Sequence, residues 1–194
     1  MNKYLLDIPE RLETERLILR TYQAGDGPMY LAASLRNREH LAKFESENVL
    51  MGLENEAQAE AMVRELAADW TARNCFFIGL FEKETGEWAG QIYVGPTSWD
   101  LPEFTIGFVA DVKYEGKGYI SEAVECVLNM LFEDIGAHRV KSDCHENNMR
   151  SMRLLERCGF RREGHLIGNR KNADGSFQCD ILFGLLRREF IHRG

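Results

Sequence analysis

The chain has 194 residues, 44% of them apolar and 28% charged, with 24 Lys and Arg against 31 Asp and Glu for a net charge of −7. That is enough apolar material for one domain with a real core, which excludes a disordered chain, a fibrous protein and a disulfide-stapled mini-domain. The acidic balance argues against a nucleic-acid partner, whose phosphates select the opposite sign, and suits a cationic or neutral small partner. Cys75, Cys126, Cys144, Cys158 and Cys179 are scattered with no C-x-x-C pair, so neither a disulfide nor a zinc framework is expected and a reducing compartment fits. The N-terminal stretch has no apolar segment of signal-peptide length, and no run approaches the roughly 18 apolar residues of a membrane span. The expectation is a single cytoplasmic domain over residues 1–194 with no membrane association.

Arg16 to Thr21 alternates apolar and polar residues, as a half-buried strand does. Gly25-Asp26-Gly27-Pro28 opens a helix through about Phe44, with Pro28 at a tolerated first-turn position. A second helix is expected from roughly Glu54 to Arg73. Cys75–Phe81 and Trp88–Val94 flank a turn at Glu84-Thr85-Gly86 and read as a hairpin, and Phe104–Val109 is a third strand. A glycine-containing loop, Tyr114 to Gly118, leads into a helix over Tyr119–Ile135. His138–Cys144 is a strand, Asn148–Cys158 a helix stopped by Gly159, and Phe160–Gly168 and Phe177–Leu186 a last strand pair around Asn172-Ala173-Asp174-Gly175. This order predicts an α/β (α+β) fold with a mixed sheet.

The loop carries the most chemistry. A strand ends, Gly116 and Gly118 admit backbone close to a ligand, and a helix N-terminus follows with Lys113 and Lys117 nearby. Exposed amides and the helix dipole suit an anion; a tight strand-to-helix connection with solvated lysines explains the glycines equally well. The nucleotide loop G-x-x-x-x-G-K-[ST] does not occur. The dinucleotide fingerprint fails on its third glycine, where Ser121 stands, and on its ribose-binding acid, since Asp134 falls inside a helix pattern.

Lys113-x-x-Gly116-x-Gly118 resembles the Q/R-x-x-G-x-G/A pyrophosphate loop of the GNAT-superfamily acetyltransferases, with lysine at the first position. Gly116-Lys117-Gly118-Tyr119-Ile120-Ser121-Glu122-Ala123 is similar to that family's "GKGYATEA" string. Asn148-Met149-Arg150-Ser151 followed by Leu155-Glu156-Arg157-Cys158-Gly159-Phe160 resembles its "N-x-x-S…LEKxGF" signature. Leu12-Glu13-Thr14-Glu15-Arg16-Leu17-Ile18-Leu19-Arg20 resembles the "LxTERLxLR" opening of the branch that acetylates ribosomal-protein N-termini and similar amines. The resemblance spans about residues 11 to 187.

The resemblance implies a GNAT-type, mostly antiparallel sheet with a splayed strand pair flanked by helices. It also implies acetyl-CoA as donor, no metal, an amine acceptor such as a peptide or ribosomal-protein N-terminus, and transfer in a ternary complex; a homodimer stays open. Phe108, Val109 and Ala110 would offer main-chain groups to the pantetheine arm, with the Val109 N–H polarising the thioester carbonyl. Gly116, Lys117, Gly118, Tyr119 and Ile120, headed by Lys113, would wrap the pyrophosphate. Asn148 would bond the arm while also suiting a helix cap, and Ser151 would serve the departing thiolate. The family's tyrosine general acid is replaced by Leu155, and the branch's usual acid by Thr105. Glu103, two residues earlier on the same strand face, is the expected base. His138 matches a structural histidine of the family. Cys144-His145 lacks a second histidine or acid at ligand spacing, so no metal site is expected there. The rival is a GNAT-fold module that holds CoA without efficient transfer, and a nicotinamide-dependent oxidoreductase is a weaker third.

Overall fold

The computed structural model describes residues 2–45, 47–171 and 175–190. Eight strands form one sheet in the order β1-β2-β3-β4-β5-β6-β8-β7. They are β1 (Arg11–Glu13), β2 (Leu17–Thr21), β3 (Phe76–Glu82), β4 (Trp88–Ser98), β5 (Glu103–Ala110), β6 (Arg139–His145), β7 (Arg161–Lys171) and β8 (Phe177–Leu186). Every neighbouring pair is antiparallel except β5–β6. The helices are α1 (Gly27–Leu41), α2 (Glu56–Ala72), α3 (Tyr119–Asn129) and α4 (Met149–Arg157). This is the mixed sheet the pattern predicts. Residues 172–174 of the last expected turn lie outside the described residues. Among the described residues no helix is long and apolar enough to cross a membrane.

β3 is buried at all seven positions, which requires cover on both faces. Helices supply it. Phe104 and Ile106 of β5 pack with Ala123, Val127 and Leu155 from α3 and α4, while Val109 packs with Tyr30, Ala59 and Val63 from α1 and α2. Alternation along one strand thus assigns successive side chains to the two cores. The helix expected over Tyr119–Ile135 is α-helical only to Asn129 and finishes in a wider π-helical turn, Met130–Asp134. Met130, Leu131 and Phe132 are all buried there, and the wider turn lets three consecutive side chains reach the core.

Candidate active site

β5 and β6 begin as parallel neighbours and then part. Their pairing is confined to Glu103–Arg139, Phe104–Val140 and Thr105–Lys141. One further link, Ser142 Oγ donating to the Ile106 carbonyl at 2.9 Å, closes the joined segment. A cleft opens beyond it. One half follows the glycine loop and the start of α3; the other lies over Gln91, Tyr93, Thr105 and Gly107; Glu45, Phe108, Val109, Asn148 and Ser151 border both.

Hydrogen-bond parity decides which β5 groups face this cleft. Asp111 N–H donates to the Ala89 carbonyl at 3.0 Å. In an antiparallel ladder bonded and non-bonded pairs alternate, so Val109, opposite Gln91, turns its N–H and carbonyl toward β4. Phe108 and Ala110 turn theirs to the open edge, in step with the Ile106 carbonyl that Ser142 reaches.

The loop is built for close approach. Gly116 and Gly118 have φ of +74° and +82°, a region L side chains rarely adopt. Gly118 is the N-cap of α3, leaving the first-turn amides unpaired by the helix and aimed outward. Arg16 braces this loop from the start of β2. Its Nη1 donates to the Lys117 carbonyl at 2.9 Å, its Nε to Glu122 Oε2 at 2.7 Å, and its guanidinium lies 4.5 Å from the Tyr119 ring centre. The motif at residues 12–17 and the glycine motif are therefore two halves of one clamp.

Across the cleft, Asn148 caps α4 by accepting from Ser151 N–H at 3.1 Å through Oδ1. Its Nδ2 amide is the donor left over. Arg150, Arg153 and Arg157 line the half beside the glycine loop, with Arg157 Nη2 at 3.3 Å from Ser121 Oγ. An otherwise acidic chain thus gathers three arginines along this half of the cleft, Arg150 among them paired with Glu115 at 2.6 Å.

Glu45 lies at the junction of the two halves, just past α1. Burial pushes its carboxyl above the usual carboxylate range, against a hydrogen bond from Asn48 and the field of Arg170. Asn48 Nδ2 holds Oε2 at 2.8 Å. α1 is moored to the end of β5 by the ion pair of Arg36 with the fully buried Asp111 and by Asn37 Oδ1 accepting from Val112 N–H at 2.9 Å. Under the acceptor half, Trp88 Nε1 donates to Tyr22 at 2.9 Å, Tyr22 donates to Gln91 Oε1 at 2.8 Å, and Tyr30 OH lies 3.0 Å from the same oxygen. That chain fixes the amide of Gln91 and leaves its Nε2 for the cleft.

A model of the acetyltransferase (GNAT) domain matches residues 16–161. The chain belongs to the GNAT acetyltransferase family. The uncharacterized N-acetyltransferase YnaD of Bacillus subtilis is 38% identical over 61 residues, a stretch covering 31% of this chain and 36% of that protein. The [ribosomal protein uS5]-alanine N-acetyltransferase of Escherichia coli is 26% identical over 175 residues, 84% of each chain. The crystal structure of ribosomal-protein-S5-alanine acetyltransferase from Vibrio fischeri superposes with a TM-score of 0.82 at 20% identity, covering 94% of this chain and 99% of that one.

Within this GNAT cleft the sequence-derived residues divide. Phe108, Val109, Ala110, Gly116, Gly118, Tyr119, Ile120, Asn148 and Ser151 all line the half of the cleft beside the glycine loop. Lys113 and Lys117 turn their side chains elsewhere: Lys113 Nζ pairs with Glu87 at 3.2 Å, and Lys117 Nζ sits 4.7 Å over the Tyr114 ring. Val109 keeps its place but not its expected role, because its N–H serves the β4 ladder; Phe108 N–H takes the open edge. Glu103 is not brought to the cleft. It stands at the joined end of the strands, held by Lys141 Nζ at 2.8 Å and Arg139 Nε at 3.3 Å. Both cations occupy the carboxylate on the joined side of the strands, so it does not face an acceptor in the cleft. Leu155 is fully buried and Thr105 offers only a hydroxyl, 3.3 Å from Thr97 Oγ1. Glu45 is the acid that sequence reasoning misses. No local pattern marks it, since only the folding of the α1–α2 connection over the splay brings it there.

Cys144 borders the acceptor half, and burial pushes its thiol up to about 12. It is protonated at neutral pH and poorly suited to accept an acetyl group. His145 accepts the Asn147 N–H at Nδ1, 3.0 Å away, which places hydrogen on Nε2 and makes that nitrogen a donor toward its surroundings.

Proposed function

We propose that this acetyltransferase moves the acetyl group of acetyl-CoA directly to a primary amine within a ternary complex. The acceptor class is a peptide or protein N-terminus, a ribosomal-protein N-terminus among them, or a small amine. The observation that carries this reading is a single cleft with a free β5 edge and a glycine loop on one side, an acceptor hollow on the other, and Glu45 between them.

In this account acetyl-CoA lays its phosphates on the Gly116–Ile120 amides and its arm along Phe108 and Ala110. The Phe108 N–H receives the thioester carbonyl and strengthens its bond as the oxyanion develops. The acceptor must lose a proton before it attacks. An α-amino group, with a pKa of about 7.7–8.0, is far easier to ready at neutral pH than a lysine at about 10.4. Glu45 takes that proton, and Gln91 Nε2 donates to an oxygen of the acceptor. Thiol release from acetyl-CoA over a panel of peptides and amines tests the reading. Tight acetyl-CoA binding with no release on any acceptor would instead mark a coenzyme-binding module.

Ser151 is assigned to the departing thiolate. Among the described residues no hydrogen bond engages its hydroxyl, which leaves one donor for sulfur. Ser151→Ala should lower turnover at saturating acetyl-CoA more than it weakens acetyl-CoA binding, because the extra charge exists only as the bond breaks. A fall in affinity with unchanged saturating turnover would make Ser151 a coenzyme-positioning residue. Gln91→Met should raise KM for a peptide acceptor about three- to tenfold, the worth of one hydrogen bond, with the acetyl-CoA Kd unchanged. An unaltered KM would remove Gln91 from acceptor recognition.

A further inference from the structure

The end of β6, the middle of β7 and the start of β8 bring three side chains together on one face of the sheet. β8 runs between β6 and β7. His145 stands opposite Asp180, and Glu146 N–H donates to the Cys179 carbonyl at 3.0 Å, so Glu146 lies across from Cys179. His165 lies across from Ile181, two residues further along β8. Alternation puts Glu146, His165 and Cys179 on one face, as direct and diagonal neighbours. Asp180, on the other face, binds Arg170 of the cleft at 2.8 Å.

One ligand atom from each of the three lies within 4.8 Å of the other two, and His165 Nε2 is 3.0 Å from Glu146 Oε2. Cys179 Sγ also accepts the Gly168 N–H at 3.4 Å. That contact exists because β7 leaves its register between Leu166 and Arg170, where Gly168 takes a φ of +62°.

We propose that Glu146, His165 and Cys179 form a site for a divalent transition metal of the zinc class. A thiolate, an imidazole and a carboxylate suit zinc or cobalt and disfavour magnesium and calcium, which take all-oxygen sets. Three protein ligands leave a fourth position for water. Binding breaks the Cys179 S–H bond, releases its proton to solvent and forms the metal–sulfur bond; no electron is transferred, and thiolate and carboxylate balance the dication. Glu146 is two residues from Asn148, so the ion ties the outer strand β7 to the segment that caps α4. Motif spacing is blind to this site, because its ligands come from the end of β6, the middle of β7 and the start of β8.

Cobalt(II) is the probe, added to the purified full chain under reducing conditions. The expected result is one equivalent bound, with thiolate-to-cobalt charge-transfer absorption and the d–d bands of a tetrahedral ion. Cys179→Ser should abolish the charge-transfer absorption, and His165→Ala should weaken cobalt affinity by about tenfold or more. Cys179 is half-buried and His165 exposed, so both variants should fold, which circular dichroism checks. A wild-type protein without the charge-transfer absorption, or a Cys179→Ser spectrum identical to wild type, would overturn the site.

Discussion

Glu45→Gln should lower kcat by about 10²–10⁴-fold, the usual cost of removing a positioned proton acceptor, while the acetyl-CoA Kd stays near wild type. The substitution keeps the size of the side chain and an oxygen for Asn48 Nδ2, so the α1–α2 connection keeps its contact. It removes only the basic lone pair at the junction of the two halves. Burial holds the Glu45 carboxyl above the usual range, so its ionised fraction falls as pH drops through that raised value. Wild-type kcat should therefore show an acid limb lying to the alkaline side of an ordinary carboxylate, and the variant should lose it. Glu103→Gln is the internal control. That carboxylate is committed to Lys141 and Arg139 outside the cleft, and its loss should leave turnover within about twofold of wild type. The opposite outcome, a large loss for Glu103→Gln and none for Glu45→Gln, would return the base to β5. Initial rates across pH at saturating substrates decide between them.

Gly118→Val should weaken acetyl-CoA binding by about tenfold or more in a variant that remains folded. At φ +82° a β-branched residue costs on the order of 1–2 kcal/mol, and the loop relieves that strain by turning its amides away from the ligand. Space alone would not exclude the side chain, since a Cβ at Gly118 meets only Arg16 Nη2 at 3.5 Å. The damage should fall on amide direction, and isothermal calorimetry reads it directly. Gly116→Val tests the same point where a Cβ would meet nothing within 4 Å. Unchanged affinity in both variants would remove the loop from the coenzyme site.

The sheet, the helices and the coenzyme loop are legible in the sequence because each has a local cause. Alternation marks β2, glycines mark the turn at 116–118, and the Asn148 cap and Gly159 stop bound α4. Family strings add the order of these parts. What stays hidden depends on groups meeting from a distance. Val109 is the natural choice from sequence for an N–H at the open edge until the bond from Asp111 to Ala89 sets the parity and turns the Phe108 N–H there instead. Glu103 shares a strand face with Thr105, yet Arg139 and Lys141, brought in by the parallel pairing with β6, neutralise it. Glu45 lies more than a hundred residues from Ser151, and both border one cleft only once α1 is moored to Asp111. Arg16 shows the reverse case: its motif is plain in the sequence, and its purpose appears only as a brace on the Lys117 carbonyl.

Direct transfer between two substrates held together is the central claim, and a matrix of initial rates tests it most directly. Acetyl-CoA and an acceptor peptide are varied against one another, and intact-protein mass spectrometry follows the enzyme. Double-reciprocal lines should intersect, acetyl should appear on the acceptor, and no acetylated enzyme should accumulate, as expected from a Cys144 thiol pushed up to about 12 by burial. Parallel lines with an acetylated cysteine on the enzyme would contradict the account.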